Sequence, residues 1–227
     1  MNRIMTGGVV GAALLACQAG ADIVQDAGIF DLAISVHQPV GQSFQAVDSH
    51  ISAIAFAFSN INPSFPNDPV TMSLYAGEGY GGVLLGSVTQ TLPAVLPSTS
   101  ATPEFIDFDF SGLVLEAGAM YTVAVTTSNS PKIAVVYSTS NPYAGGTFFS
   151  PAYGGGVAGW DLNFRVTAEV CAADLAAPFG SLDFFDLARF LELYNSGDAA
   201  ADLAAPFGVL NFFDLSGYIA LYGAGCP

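Results

Sequence analysis

Two spacings divide this chain. Through residues 22–170 apolar and polar positions alternate, the two-residue period of strands with one face in a core. Ile106, Phe108 and Phe110 fall on one side, with Asp107 and Asp109 on the other. Val70, Met72 and Leu74 keep the same period, as do Tyr121, Val123 and Val125. The run 161–167 turns Leu162, Phe164 and Val166 inward. Further strands are expected over 32–36, 42–46, 51–58, 83–90 and 132–138. Clusters of Gly, Pro, Asn and Ser at 60–69, 77–82, 97–103 and 154–156 separate them as turns. About nine short strands without a long amphipathic helix predict a mainly β domain, an antiparallel, jelly-roll-like β-sandwich.

Beyond residue 170 the period lengthens to that of a helix. Leu187, Phe190, Leu191 and Tyr194 stand at i, i+3, i+4 and i+7, and Leu215, Tyr218, Ile219 and Tyr222 repeat the stripe. The repetition extends to the sequence itself: 173–197 and 201–225 are identical at 16 of 25 positions, so the segment is a duplication. Each copy predicts a loop followed by a helix of about ten residues, the first ended near Gly197. One such helix cannot bury its stripe alone, so two packed together are expected as a small all-α module. Cys171 and Cys226 lie just outside the two copies. In an oxidising compartment that placement predicts a disulfide, which by restricting the unfolded chain contributes roughly 4 kcal/mol.

The compartment follows from the start of the chain. Arg3 precedes an apolar run, 4–16, too short to span a bilayer, and Ala19-Gly20-Ala21 suits signal peptidase. The expected organisation is therefore a leader at 1–21, a sandwich at 22–170 and a repeat module at 171–227. A second processing pattern, Leu14-Leu15-Ala16-Cys17, suits lipidation of Cys17. Either way the protein is expected to be secreted or held at the cell surface. Without the leader, Lys132, Arg165 and Arg189 oppose 19 carboxylates, a net charge of −16. Such a surface repels nucleic acid and anionic lipid. No other apolar run is long enough for a membrane helix.

Certain residues of the repeats carry a resemblance. Cys171, Asp174, Leu182-Asp-Phe-Phe-Asp186, Leu210-Asn-Phe-Phe-Asp214 and the terminal Gly225-Cys226-Pro227 resemble the dockerin-type module found behind many bacterial secreted domains. The resemblance covers about a quarter of the chain and implies EF-hand-like loops that bind calcium, each followed by one helix. It places the first ligand at Asp174 and Asp202, the ninth at Asp183 and Asn211, and the closing carboxylate at Asp186 and Asp214. It also implies a docking partner, a cohesin-like or other cell-surface protein. The loop middles depart from the family: Ala176-Ala-Pro-Phe-Gly180 and Ala204-Ala-Pro-Phe-Gly208 carry no side-chain oxygen. Phe179 and Phe207 have the bulk to fill the space of a cation. The same Asp183-x-x-Asp186 and Asn211-x-x-Asp214 also suit helix capping.

The first domain carries a fainter likeness. Gly41-Gln-Ser-Phe-Gln-Ala46, Leu113-x-Leu-x-Ala-Gly-x-x-Tyr121, Tyr143-Ala-Gly-Gly146 and Asp161-Leu-x-Phe-Arg165 resemble bacterial extracellular sandwiches carried by interchangeable anchors. That fold is similar to galactose-binding-like and carbohydrate-binding modules. Tyr143, Phe148, Phe149, Tyr153 and Trp160, near Asp161, are candidates for a sugar-binding platform, with capping of the sandwich end as the other reading. Catalysis has little to rest on: His37 and His50 are the only histidines, and no serine elbow, Cys–His pair or phosphate loop is present. The expectation is a non-catalytic secreted protein, with a sandwich that binds or supports and a module that attaches it. Asp107 and Asp109, alternating on one strand face, read as a solvated face, with a calcium site or a carboxylate pair as the other readings. The alternatives to this function are a carbohydrate-binding module on the same anchor, or a small glycoside hydrolase.

Overall fold

The structure, a computed structural model, describes residues 22–62, 69–97, 104–128, 132–169, 171–177 and 181–226. The expected leader with Cys17, the turn residues 63–68 and 98–103, and Phe179 lie outside them. The chain divides into two compact units, whose boundary falls between Cys171 and Ala172.

The first unit is mainly β. Its strands are β1 (Ile23–Gln25), β2 (Phe30–Ala33), β3 (Val40–Gln45), β4 (His50–Asn60), β5 (Pro69–Ala76), β6 (Leu84–Thr91) and β7 (Glu104–Val114). After these come β8 (Met120–Thr127), β9 (Ile133–Ser138), β10 (Phe148–Ser150), β11 (Gly155–Val157), β12 (Asp161–Leu162) and β13 (Phe164–Ala168), with one helical turn, α1 (Ile34–His37), after β2. They form two antiparallel sheets. In the seven-stranded sheet, β4 has β7 on one edge and β13 followed by β9 on the other. There β1 pairs with β13, and β2 and β12 with β9. The six-stranded sheet runs β11-β10-β3-β8-β5-β6. Alternation accounts for the core: Val70, Met72 and Leu74 of β5, Val123 and Val125 of β8, Phe108 of β7 and Phe164 of β13 are fully buried in one cluster with Phe44, Phe56 and Phe58.

Two of the expected strands are broken, each for a local reason. The run 32–36 stops as a strand at Ala33, and the chain makes one helical turn in which the His37 ring pairs with the Ala33 carbonyl. The run 161–167 is interrupted at Asn163, because β12 pairs with β9 and β13 with β4. Asn163 stands at this switch with its backbone N–H on Val136 and its carbonyl taken by Ala57. Its side chain is fully buried and fully paired. The amide oxygen accepts from Gln25 Nε2 (3.0 Å) and Gly28 N (2.6 Å), and the amide nitrogen donates to the Asp26 and Gly28 carbonyls. Residue 28 must be glycine, since a Cβ there would lie 2.3 Å from Asn163 Oδ1. One buried amide thus ties the N-terminal segment to the last strand.

Asn163→Ala leaves several buried donors and acceptors unmatched. It should lower the stability of the sandwich by about 3 kcal/mol. Denaturation followed by the fluorescence of Trp160, the sole tryptophan, reads this unit directly; an unchanged midpoint would show that the network contributes nothing.

Candidate functional site

The second unit is built from two loop–helix copies. Its helices, α2 (Phe184–Ser196) and α3 (Phe212–Ala224), are thirteen residues each, longer than expected because both begin at a reciprocal cap. Asp183 and Asn211 accept from the N–H groups of Phe185 and Phe213 at 2.7 and 2.8 Å. In return Asp186 and Asp214 accept from the N–H groups of Asp183 and Asn211 at 2.8 and 2.7 Å. Gly197 ends α2 in the left-handed conformation that favours glycine, φ 74°.

Asp186 and Asp214 do more than cap. Both are fully buried. Asp186 Oδ1 also accepts from Leu175 N (2.7 Å) and Ala176 N (2.8 Å), at the start of the preceding loop. Asp214 Oδ1 does the same with Leu203 N (2.9 Å) and Ala204 N (2.8 Å). Each carboxylate therefore collects three backbone N–H groups and closes its loop onto the helix start. For Asp214 the Asn211 N–H, with help from Ala204 and Leu203, holds the carboxyl below the ordinary range despite its desolvation.

The helices meet through equivalent positions. Phe190 and Tyr218, both fully buried, stack with ring centres 4.0 Å apart and planes within 3°. The Tyr218 hydroxyl donates to the Ala173 carbonyl at 3.0 Å. Burial raises the pKa of that hydroxyl, and the Asp186 charge adds to the effect. Cys171 and Cys226 are joined in a disulfide. The expected stripe needs correction at two positions: Leu191 and Ile219 are exposed, and Leu193 takes the buried place beside Phe190. Phe207 is 73% exposed and fills no loop.

The apolar groups left outside are duplicated too. Phe184 and its counterpart Phe212 are 72% and 71% exposed, and Phe185 and Phe213 are both 62% exposed. Two helical turns further along the same faces lie Leu191 and Ile219. Besides the buried Asp186 and Asp214 the unit carries five carboxylates, with Arg189 as its one strong cation.

Of the other predicted loop residues, Asp202 Oδ2 accepts from Gly208 N, while its Oδ1 is buried without a hydrogen-bond partner among the described residues. Asp174 is half-buried at the corresponding point of the first loop. Among the described residues no three His, Cys, Asp or Glu side chains gather as a metal-holding group.

The ring cluster of the sandwich is only partly a surface. Phe148 is fully buried. Trp160, half-buried, packs on Phe148 and Tyr137, and meets Tyr153 edge-on at 5.2 Å and 66°, so no flat platform runs across both rings. Tyr153 stacks on His37 at 5.4 Å. Tyr143 stands apart, edge-on to Phe164. Phe149 meets Tyr80, whose hydroxyl is shared between the Pro39 and Phe149 carbonyls, an anchor that alternation gave no sign of. Asp161 turns inward, fully buried, and accepts from Gln42 Nε2 (2.9 Å) and Tyr143 N (3.1 Å). Burial is the largest influence on it and raises its carboxyl above the ordinary 3.8, while the two hydrogen bonds pull the other way.

The remaining candidates are dispersed. Asp107 pairs with Arg165 at 2.8 Å on a half-exposed face, a contact of small energetic weight. Asp109 instead takes the N–H and hydroxyl of Ser111. The Ser49 hydroxyl reaches the His50 ring at 3.0 Å, but Asp48 holds the His50 backbone N–H, and among the described residues no acid is hydrogen-bonded to the ring.

No protein-family model matches the chain, and no curated protein matches it. Among solved structures, a chain in the structure of infectious bursal disease virus Gx strain aligns at 13% identity and a TM-score of 0.18. That alignment covers 78% of this chain and 44% of the viral one, and its score carries no argument.

Two outcomes check this geometry. Phe190→Ala should cost about 3 kcal/mol in the thermal unfolding of the repeat unit, and Tyr218→Phe about 1 kcal/mol. A Phe190→Ala effect no larger than that of Tyr218→Phe would mean that the stack contributes little. A raised carboxyl at Asp161 makes its ionised form a cost to folding at neutral pH. The cost fades as pH falls through the raised value and is gone below the unfolded value. Carboxyl NMR should place its midpoint above 3.8, and a midpoint at or below that value contradicts the account.

Proposed function

We propose that this is a secreted, non-catalytic protein whose β-sandwich is attached, through the C-terminal dockerin-like module, to a cohesin-like or other protein at the cell surface. The observation that carries the reading is the pair of exposed phenylalanine dipeptides, Phe184-Phe185 and Phe212-Phe213, with matching exposure in both copies. Each ring left in water forgoes about 2–3 kcal/mol of burial. A fold has no use for four such rings in equivalent places, whereas aromatic clusters of this kind anchor protein interfaces. The acidic surround favours a partner with basic residues around an apolar cleft. The sandwich is read as a jelly roll. Its pairings β2-β9-β4-β7 and β3-β8-β5-β6 support that winding.

Cell-surface retention tests the reading. In the producing organism the wild-type chain should fractionate with the cell envelope. A Phe184→Ser, Phe212→Ser double variant, with circular dichroism unchanged, should appear mostly in the medium. Equal retention of the two proteins rejects docking through these faces.

A further inference from the structure

The resemblance implies calcium in the two loops, and the oxygens it names can be followed one by one. Both oxygens of the supposed closing carboxylates are engaged. Asp186 and Asp214 each receive three backbone N–H groups at 2.7–2.9 Å, without solvent exposure. An N–H directs its positive end at the oxygen, so it takes up the side from which a cation would bind. The supposed ninth ligands are engaged as well: Asp183 Oδ1 and Asn211 Oδ1 accept from Phe185 N and Phe213 N. In the second loop this leaves Asp202 Oδ1, one buried oxygen, where a hard cation needs six to eight. The intervening Ala204-Ala-Pro-Phe-Gly208 supplies no side-chain oxygen. The residues of the second loop do not fit calcium.

We infer that each loop is closed by its own aspartate in place of a cation, so that the module holds its shape without a divalent metal. The electrostatics are reversed from those of a calcium loop. There, oxygens converge on a positive ion; here, N–H groups at the loop start and the helix start converge on a negative charge belonging to the chain. The closure spans the same interval in both copies, from Leu175 and Ala176 to Asp186 and from Leu203 and Ala204 to Asp214. The geometry is kept in both copies of the duplication, although the copies differ at 9 of 25 positions. The inference does not depend on the docking reading.

Amide hydrogen exchange by NMR on the full chain, disulfide intact, separates the two closures. The donors are the amides of Leu175, Ala176, Asp183, Leu203, Ala204 and Asn211. Their protection should be the same in excess calcium chloride and in excess chelator, and calorimetric titration with calcium should give no binding heat. Loss of protection in chelator, or a binding isotherm, overturns the inference. Asp214→Asn sets an amide donor among the N–H groups. It should lower the protection of Leu203, Ala204 and Asn211 at least about tenfold, with calcium or without, and spare Leu175, Ala176 and Asp183. A loss confined to calcium-loaded samples would show a metal at work. Should the variant fail to fold, the wild-type comparison decides alone.

Discussion

A polar group removed from water must find partners, and this protein uses that requirement to fix its chain path. Asn163 in the sandwich and Asp186 and Asp214 in the repeat unit are fully buried, and each draws distant backbone together. Apolar burial supplies the bulk of the driving force, but it is tolerant of position. The amide at residue 163 decides where one strand leaves β9 for β4. The two carboxylates decide where each loop joins its helix.

Much of this was legible in the sequence, and the boundary is instructive. The alternation of Val70, Met72 and Leu74 states its burial directly, because a strand has only two faces. The duplication names the equivalent residues, and Asp183 and Asn211 are recognisable as caps from sequence alone. What alternation could not show was partnership. Nothing about Asp161 in the chain says that its carboxylate faces Gln42 and Tyr143 N–H and not a ligand. The strand at 161–167 was correct in period, yet a switch of neighbours leaves no trace in hydrophobicity. The helical stripe erred for a related reason. With Phe190 and Tyr218 stacked at the contact, Leu191 and Ile219 turn to solvent.

The outer surface carries its own contrast. The strands β5, β6 and β8 hold no charged residue, although the chain has 19 carboxylates. Their outward side chains pair as hydroxyls, Thr71 with Thr89 and Ser73 with Ser87, each at 2.7 Å. The repeat unit, by contrast, sets exposed phenylalanines among acids. Net charge of this size keeps such rings soluble while leaving them accessible.

The stack of Phe190 on Tyr218 joins residues that occupy the same place in two copies. Contact between like positions is what a homodimer makes at its symmetry axis. A single copy by itself would leave its aromatic ring uncovered, and only a second molecule could cover it, at a cost that depends on concentration. With both copies on one chain, linked through 198–200, that association is intramolecular. In this module both rings belong to one polypeptide, so dilution cannot part them.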